Sequence, residues 1–410
     1  MDDLDLNFIR NQFPALAGGF TFFDNAGGTQ VTRQVGERLQ DYMYQSNVQL
    51  GASYSVSQRS TLRVEEARKK WAWMINARDD SEIIMGSSTT QLLQNLSRSL
   101  VGILKPGDEI IVTNCDHEAN TGPWISLQKQ GIVVRSWKID PDSYRFDLEK
   151  LESLLTEKTK LVAFTHVSNI LGTINPVKQI TELVHQHGAW VCVDGVACAP
   201  HRAIDVRDPD VDFYVFSLYK VYGPHYSILY GKKEHLEKLP GINHFFIGNE
   251  EIPYKLQPGN VNYELSYATL GIIDYIENLY EQLSAEKSLS LKERYHYVFD
   301  RFSTYEESLS EHLLKYLNSK ANIRIIGETS PDRSLRVPTI SFVIKEKKSS
   351  AIPPATDKQN IGIRWGDFYA RRLITDLGLA KQDGVVRVSM VHYNTHEEID
   401  KLIEVFEGVF

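Results

Sequence analysis

Cysteine is nearly missing from this chain, with three in 410 residues. Cys115, Cys192 and Cys198 form no CxxC pair, and an odd, dispersed set argues against a disulfide framework or a zinc ribbon, so no metal site is expected. Cys192 and Cys198 lie in apolar surroundings that suit core packing. No apolar run approaches the roughly 20 residues that span a bilayer, and the start Met1-Asp2-Asp3-Leu4-Asp5 is acidic where a secretory signal would be basic. The expectation is a cytoplasmic protein with no membrane partner. There is no basic tail, internal repeat or low-complexity tract, and the net charge of −8 is spread along the chain, which disfavours nucleic acid as a partner. The remaining composition, 42% hydrophobic and 24% charged, is that of a globular chain long enough for two or three domains.

From about Ser81 to Gly231 short apolar runs alternate with helix-length amphipathic stretches. That pattern predicts an α/β fold, a mainly parallel sheet with helices on both faces. Predicted strands are 82–85, 109–112, 161–164, 190–193, 213–216 and 227–230, several continuously apolar as buried parallel strands are. Pro176 to His187 has helical spacing and stops at Gly188. Beyond Gly271 the character changes to long helices (271–282, 292–318), then strands at 323–326, 339–343, 361–364 and 385–389. A helix is predicted from Asp367, and a capping box at Thr395-His396-Glu397-Glu398 opens another. The polar stretch Glu346 to Gln359 reads as an exposed loop. These elements imply a large domain over 20–290 and a small α+β domain from 1–19 and 291–410.

Ligands of open α/β sheets bind beyond the carboxyl ends of the strands, so polar residues there are the candidates. Gly86-Ser87-Ser88-Thr89-Thr90-Gln91 follows a strand and opens a helix, where free N–H groups and hydroxyls would hold a phosphate; Ser and Thr also cap ordinary helices. Asp194 ends an apolar strand, where a carboxylate needs a cationic partner such as a protonated pyridine nitrogen; a helix cap or structural ion pair is the alternative. Lys220, between an apolar strand and Gly223-Pro224, is placed to lose its proton and form a Schiff base, although most lysines are solvated surface charges. His117, in Asp116-His117-Glu118-Ala119-Asn120, is a catalytic or merely a loop imidazole.

Taken together these segments resemble the class V aminotransferase family, in particular its cysteine-desulfurase-like branch. The resemblance runs from Phe23-Asp24-Asn25-Ala26-Gly27-Gly28 to Tyr393-Asn394-Thr395-His396-Glu397-Glu398, and is most specific in Val167 through Pro176 and Phe213 through Tyr230. It implies a pyridoxal 5'-phosphate (PLP) transferase fold of type I, with a seven-stranded-type sheet in the large domain. It further implies that Lys220 carries the cofactor and moves the substrate α-proton, and that Asp194 pairs with the pyridinium. Asn169 would bond the ring hydroxyl, and His117 would stack on the ring. Thr89, Thr90, Ser217 and Tyr219 would hold the phosphate. Arg387 would clamp the substrate carboxylate, with Arg364 and Asn25 as further substrate contacts. The expected partners are a small-molecule amino acid and a second copy of the chain, the active site lying at the interface of a homodimer. The corresponding partner loops are near Gly51-Ala52-Ser53-Tyr54 and Gly259-Asn260-Val261-Asn262-Tyr263, both different from the usual family residues.

The chain departs from that family at the sulfur-accepting loop. Within Gly362-Ile363-Arg364-Trp365-Gly366-Asp367-Phe368-Tyr369-Ala370 the thiol position is Tyr369, and no cysteine follows Cys198. A phenol cannot form a persulfide. Ala197 replaces the family's glutamine near the ring hydroxyl, and Tyr219 replaces its histidine before the lysine. The expected activity is therefore a carbon–sulfur β-lyase on cysteine or a cysteine conjugate. The alternatives are an aminotransferase or epimerase, a desulfurase with an unusual sulfur acceptor, and a non-catalytic PLP-binding protein.

Overall fold

The computed structural model describes residues 4–409. Its centre is a seven-stranded sheet that runs, in spatial order, Ile83–Gly86, Ser227–Gly231, Phe213–Ser217, Trp190–Asp194, Thr159–Thr165, Glu109–Thr113 and Val133–Trp137. Ser227–Gly231 is antiparallel to both its neighbours, and the remaining pairs are parallel. Side chains of a strand alternate between faces. Accordingly Tyr214 and Phe216 enter one apolar cluster while Phe213 and Val215 enter another, on opposite sides of the sheet. Helices cover both faces, which is why these strands read as unbroken apolar runs.

The exception is Val133–Trp137, an edge strand whose residues are partly exposed except for Trp137. Its VVRSW sequence has neither the apolar run nor strict alternation, so the sequence did not predict it. Three further expectations are corrected in the second half. Pro353–Asp357 is a short helix rather than loop, because Ile352 and Thr356 are fully buried beneath it. The predicted strand 361–364 is two short strands in different sheets: Ile361–Gly362 pairs with Thr21–Phe22, and Arg364–Gly366 pairs with Val385–Ser389. The helix expected from Asp367 begins at Arg371.

A four-stranded antiparallel sheet, ordered Arg364–Gly366, Val385–Ser389, Thr339–Ile344, Ile323–Ile325, forms the smaller layer. The 28-residue helix Leu291–Asn318 links the two bodies. Its Val298, Phe299 and Phe302 pack in the core of the large sheet, and its Leu309, Leu313 and Leu317 pack beneath the small one. Ile9, Phe13 and Leu16 also join the large-sheet core, while Arg10 of the same segment pairs with Glu398 at 3.0 Å. The predicted capping box is present, with Thr395 accepting from the Glu398 N–H at the start of His396–Glu407.

Candidate active site

The carboxyl ends of the parallel strands converge on one cavity lined by Ser88, Thr89, Thr90, His117, Asn169, Asp194, Ser217, Tyr219 and Lys220, among others. Every residue expected at the cofactor therefore comes to one place. Each arrives by the same device, a strand that ends and a tight turn that follows it. Gly195 shows how little freedom that turn has: a Cβ there would sit 2.2 Å from the Tyr214 ring. Gly172 (φ +67°) similarly lets the Asn169 loop lie against the small sheet, where a Cβ would meet the Thr339 carbonyl at 2.3 Å.

At one end of the cavity, Thr89 opens the helix Thr89–Leu100, which Ser88 caps by accepting from the Gln91 N–H. The Thr89 hydroxyl lies 2.7 Å from the Ser217 hydroxyl, itself 3.0 Å from that of Ser227. Thr90 is exposed at the rim. Hydroxyls grouped at the positive end of a helix suit a phosphate dianion. The Tyr219 ring stacks flat on His225, centroids 4.8 Å apart and 7° from parallel, so the tyrosine replacing histidine is itself held in place by a histidine.

In the middle, Asp194 is buried, and one carboxylate oxygen accepts from the Val196 N–H at 2.9 Å. Burial pushes its pKa up, opposed by that hydrogen bond and by Lys220. Lys220 is 5% exposed, and its amine has no hydrogen bond or ion pair among the described residues. Burial lowers its pKa; repulsion by Arg387 adds to this, while Asp194 and Asp24 oppose it. His117 is held neutral, its pKa lowered to about 4 by burial, then by Lys220 and Arg387. Its Nδ1 accepts from the Ala119 N–H at 3.1 Å, which leaves the ring proton on Nε2.

At the outer end the two arginines come together because Arg364 and Arg387 are direct cross-strand partners. Asp24 spans both, 2.8 Å from Arg387 and 3.4 Å from Arg364. Arg387 is buried, with its guanidinium 3.7 Å from the centre of the Phe368 ring and a second hydrogen bond to the Asn169 carbonyl at 3.1 Å. Its Nε has no partner. Tyr369 stands at the mouth, 69% exposed, with its ring 5.1 Å from that of His117. Phe368 and Tyr369 are consecutive left-handed residues (φ +49° and +61°), a costly conformation for aromatic side chains that persists only where the surroundings impose it. Here the Asn169 amide donates to the Phe368 carbonyl at 2.9 Å, and the Glu118 N–H donates to that of Tyr369 at 2.8 Å.

Asn25 is not brought in. Its amide donates to the carbonyls of Phe22 (2.8 Å) and Ser389 (2.9 Å) and accepts from the Tyr393 hydroxyl, so it pins two chain segments together beneath the site. The neighbouring Asp24 is the residue of that segment which reaches the arginines. Asp24, Phe368 and His225 were not among the sequence candidates, since Asp24 and Phe368 lie at no strand end of the main sheet and His225 precedes a strand rather than ending one.

PLP fits this cavity on the evidence of an orphan. Asn169 Oδ1 is buried without a hydrogen-bond partner, and a ring hydroxyl is a donor that would satisfy it. A doubly wound sheet with a buried lysine, a strand-end aspartate and a hydroxyl-lined helix start defines a PLP-dependent enzyme of fold type I. More particularly, the chain belongs to the class V aminotransferase family, which its residues 21–402 match and whose enzymes use PLP. It is 44% identical to the aminotransferase-like protein FGM3 of Gibberella zeae over 98% of this chain and 97% of that one. It is 34% identical to the cysteine desulfurase-like protein ustD of Aspergillus flavus over 97% and 88%. Among solved structures it resembles the cysteine desulfurase CsdA of Escherichia coli, with a TM-score of 0.84 and 26% identity, covering 99% of this chain and 98% of that one.

Proposed function

We propose that the protein is a carbon–sulfur β-lyase acting on cysteine or an S-substituted cysteine. The observation that carries this reading is the state of the thiols. All three cysteines are buried, burial raising each pKa, that of Cys198 to about 12. A nucleophilic thiol must be an accessible thiolate. The mouth of the site instead presents Tyr369, so sulfur departs in solution as a thiol.

The residues divide the work as follows. Thr89, Thr90, Ser217 and Tyr219 would hold the phosphate, Asp194 would pair with the ring nitrogen, and the unpartnered Asn169 Oδ1 would accept from the ring hydroxyl. When bound, PLP supplies an electron sink for negative charge at the substrate α-carbon. The substrate carboxylate occupies Arg387, whose unpaired Nε awaits an acceptor, and displaces Asp24 toward Arg364. Lys220, its basicity lowered by burial, is the carrier of the cofactor and then takes the α-proton. His117 closes one side of the pocket as a neutral ring. The C–S bond breaks with its electron pair leaving on sulfur, and water completes release of pyruvate and ammonia beside the free thiol.

A second copy of the chain completes the site in this reading. The two loops expected to face a partner lie side by side, with Gln49 donating to the Tyr263 hydroxyl at 3.1 Å. The decisive measurement is product analysis with cysteine and S-methylcysteine. Pyruvate should appear one for one with sulfide or methanethiol. Alanine accompanied by sulfur bound to the protein would overturn the proposal.

A further inference from the structure

A second cavity lies apart from the one that fits the cofactor. It is a groove of about 780 Å³ on the outer side of Tyr369, lined by Asn114 and Ser136 and bounded by the helix Arg371–Asp376. Tyr369 lines this groove and also the inner compartment that holds Lys220, His117 and Arg387. One aromatic ring is thus the partition between the reacting centre and a volume large enough for a sizeable organic group.

Four of the six charged groups lining the groove are paired with one another. Lys138 pairs with Asp376 at 3.0 Å, and Asn114 donates to the same carboxylate at 2.9 Å. Arg372 pairs with Glu118 through two bonds of 3.1 and 3.2 Å. Asp367 accepts from the Tyr369 N–H at 3.1 Å, which ties its carboxylate to the loop and leaves it without an ion pair among the described residues. Of the groove's three cations, that leaves Arg371, which is exposed and whose guanidinium has no hydrogen bond or ion pair among the described residues. The groove shares a wall with the active site, has its unpaired cation on the helix Arg371–Asp376, and has its unpaired carboxylate, Asp367, tied to the loop by the Tyr369 N–H; that arrangement suits a substituent that extends past the β-carbon and ends in an anion at the helix.

We propose that this groove is the binding site for the sulfur substituent of the substrate, and that the preferred substrates are S-conjugates of cysteine carrying a flexible chain with a terminal carboxylate, read by Arg371. This rests on the β-lyase reading for its chemistry but not for its geometry. A substrate seated with its carboxylate on Arg387 and its α-carbon at Lys220 directs its side chain past Tyr369. Free cysteine leaves the groove unused.

The test compares S-methylcysteine, S-butylcysteine and S-(3-carboxypropyl)cysteine on the PLP-loaded enzyme. Dissociation constants are read from the change in cofactor absorption, and pyruvate is measured separately. The carboxypropyl conjugate is expected to bind at least about tenfold more tightly than the methyl compound, with the butyl compound between them. Arg371→Gln should weaken the carboxypropyl conjugate about two- to fivefold, as for an exposed ion pair, and Arg371→Glu should weaken it further, while S-methylcysteine is unchanged. Equal affinities across the series, or substitutions at Arg371 that shift all three ligands alike, would overturn the assignment of the groove. Graded binding without pyruvate would instead refute the lyase reading and leave the groove standing.

Discussion

The His117 ring is neutral in the folded protein, and that has a measurable cost in acid. Its pKa stands at about 4 against 6.5 for an unperturbed imidazole. Between those values the unfolded chain binds a proton that the folded chain does not. The stabilising contribution is therefore fully present above pH 6.5 and is lost as pH falls toward 4. From those two values, the loss at pH 5 is RT ln[(1+10^1.5)/(1+10^−1)], about 2 kcal/mol, against roughly 0.1 kcal/mol at pH 7.5. His117→Gln removes this titration and leaves the other histidines in place, among them His166 and His392, which burial also lowers. The assay is urea unfolding of both proteins, cofactor removed, at pH 7.5 and pH 5.0. The wild type should lose about 2 kcal/mol more than the variant between the two. Equal losses would mean that His117 is accessible and ordinarily basic, and the picture of a neutral wall beside the cofactor would fail. The same neutrality means that His117 is not an imidazolium near pH 7.

Lys220→Ala should abolish the lysine-linked absorption of the cofactor and lower turnover by at least about 10²-fold, the usual contribution of a positioned acid–base group; an unchanged band would refute the assignment of the cofactor site. Tyr369→Phe should keep kcat within about threefold, because the Tyr369 hydroxyl has no protein partner among the described residues, and a far larger fall measured by pyruvate release would show that the phenol itself takes part. Gly195→Ala places a Cβ 2.2 Å from the Tyr214 ring, so thermal unfolding should reveal a loss of about 1–3 kcal/mol, typical of overpacking. Asn169→Ala removes both the anchor on the Phe368 carbonyl and the buried acceptor; cofactor affinity should fall roughly three- to tenfold by equilibrium dialysis, the scale of one hydrogen bond.

Much of this site was legible because the chemistry follows strand ends. An apolar run followed by Asp194, or by Ser217 to Lys220, announces a strand and the polar group at its tip within a few residues, and the fold then brings those tips together. What could not be read were relations across the chain. Asp24 lies 363 positions from Arg387, with which it pairs, and nothing in its own neighbourhood signals a counter-ion. The edge strand Val133–Trp137 was missed because its exposed Val133 and Ser136 and its central arginine erase the apolar pattern on which strand prediction depends. The helix at Pro353–Asp357 was obscured by Pro353-Pro354, which reads as a break in sequence although proline is well tolerated in a first helical turn.

The arginine pair shows how a buried cation is kept beside the rings of His117, Tyr219, Phe368 and Tyr369. Two guanidinium groups on adjacent strands would repel each other, and Arg387 is buried, so without compensation its charge would be costly to keep. Asp24 supplies that compensation while remaining only partly buried, and it bonds one edge of Arg387 while Nε stays unpaired. The resting site thus sets two cations against one carboxylate, with Arg387 Nε unpaired, and an incoming carboxylate can take that donor while Asp24 stays with Arg364. Under the proposed reading buried Arg387 would select the α-carboxylate, and exposed Arg364 would keep the departing counter-ion paired, so that substrate entry strands no charge inside the protein.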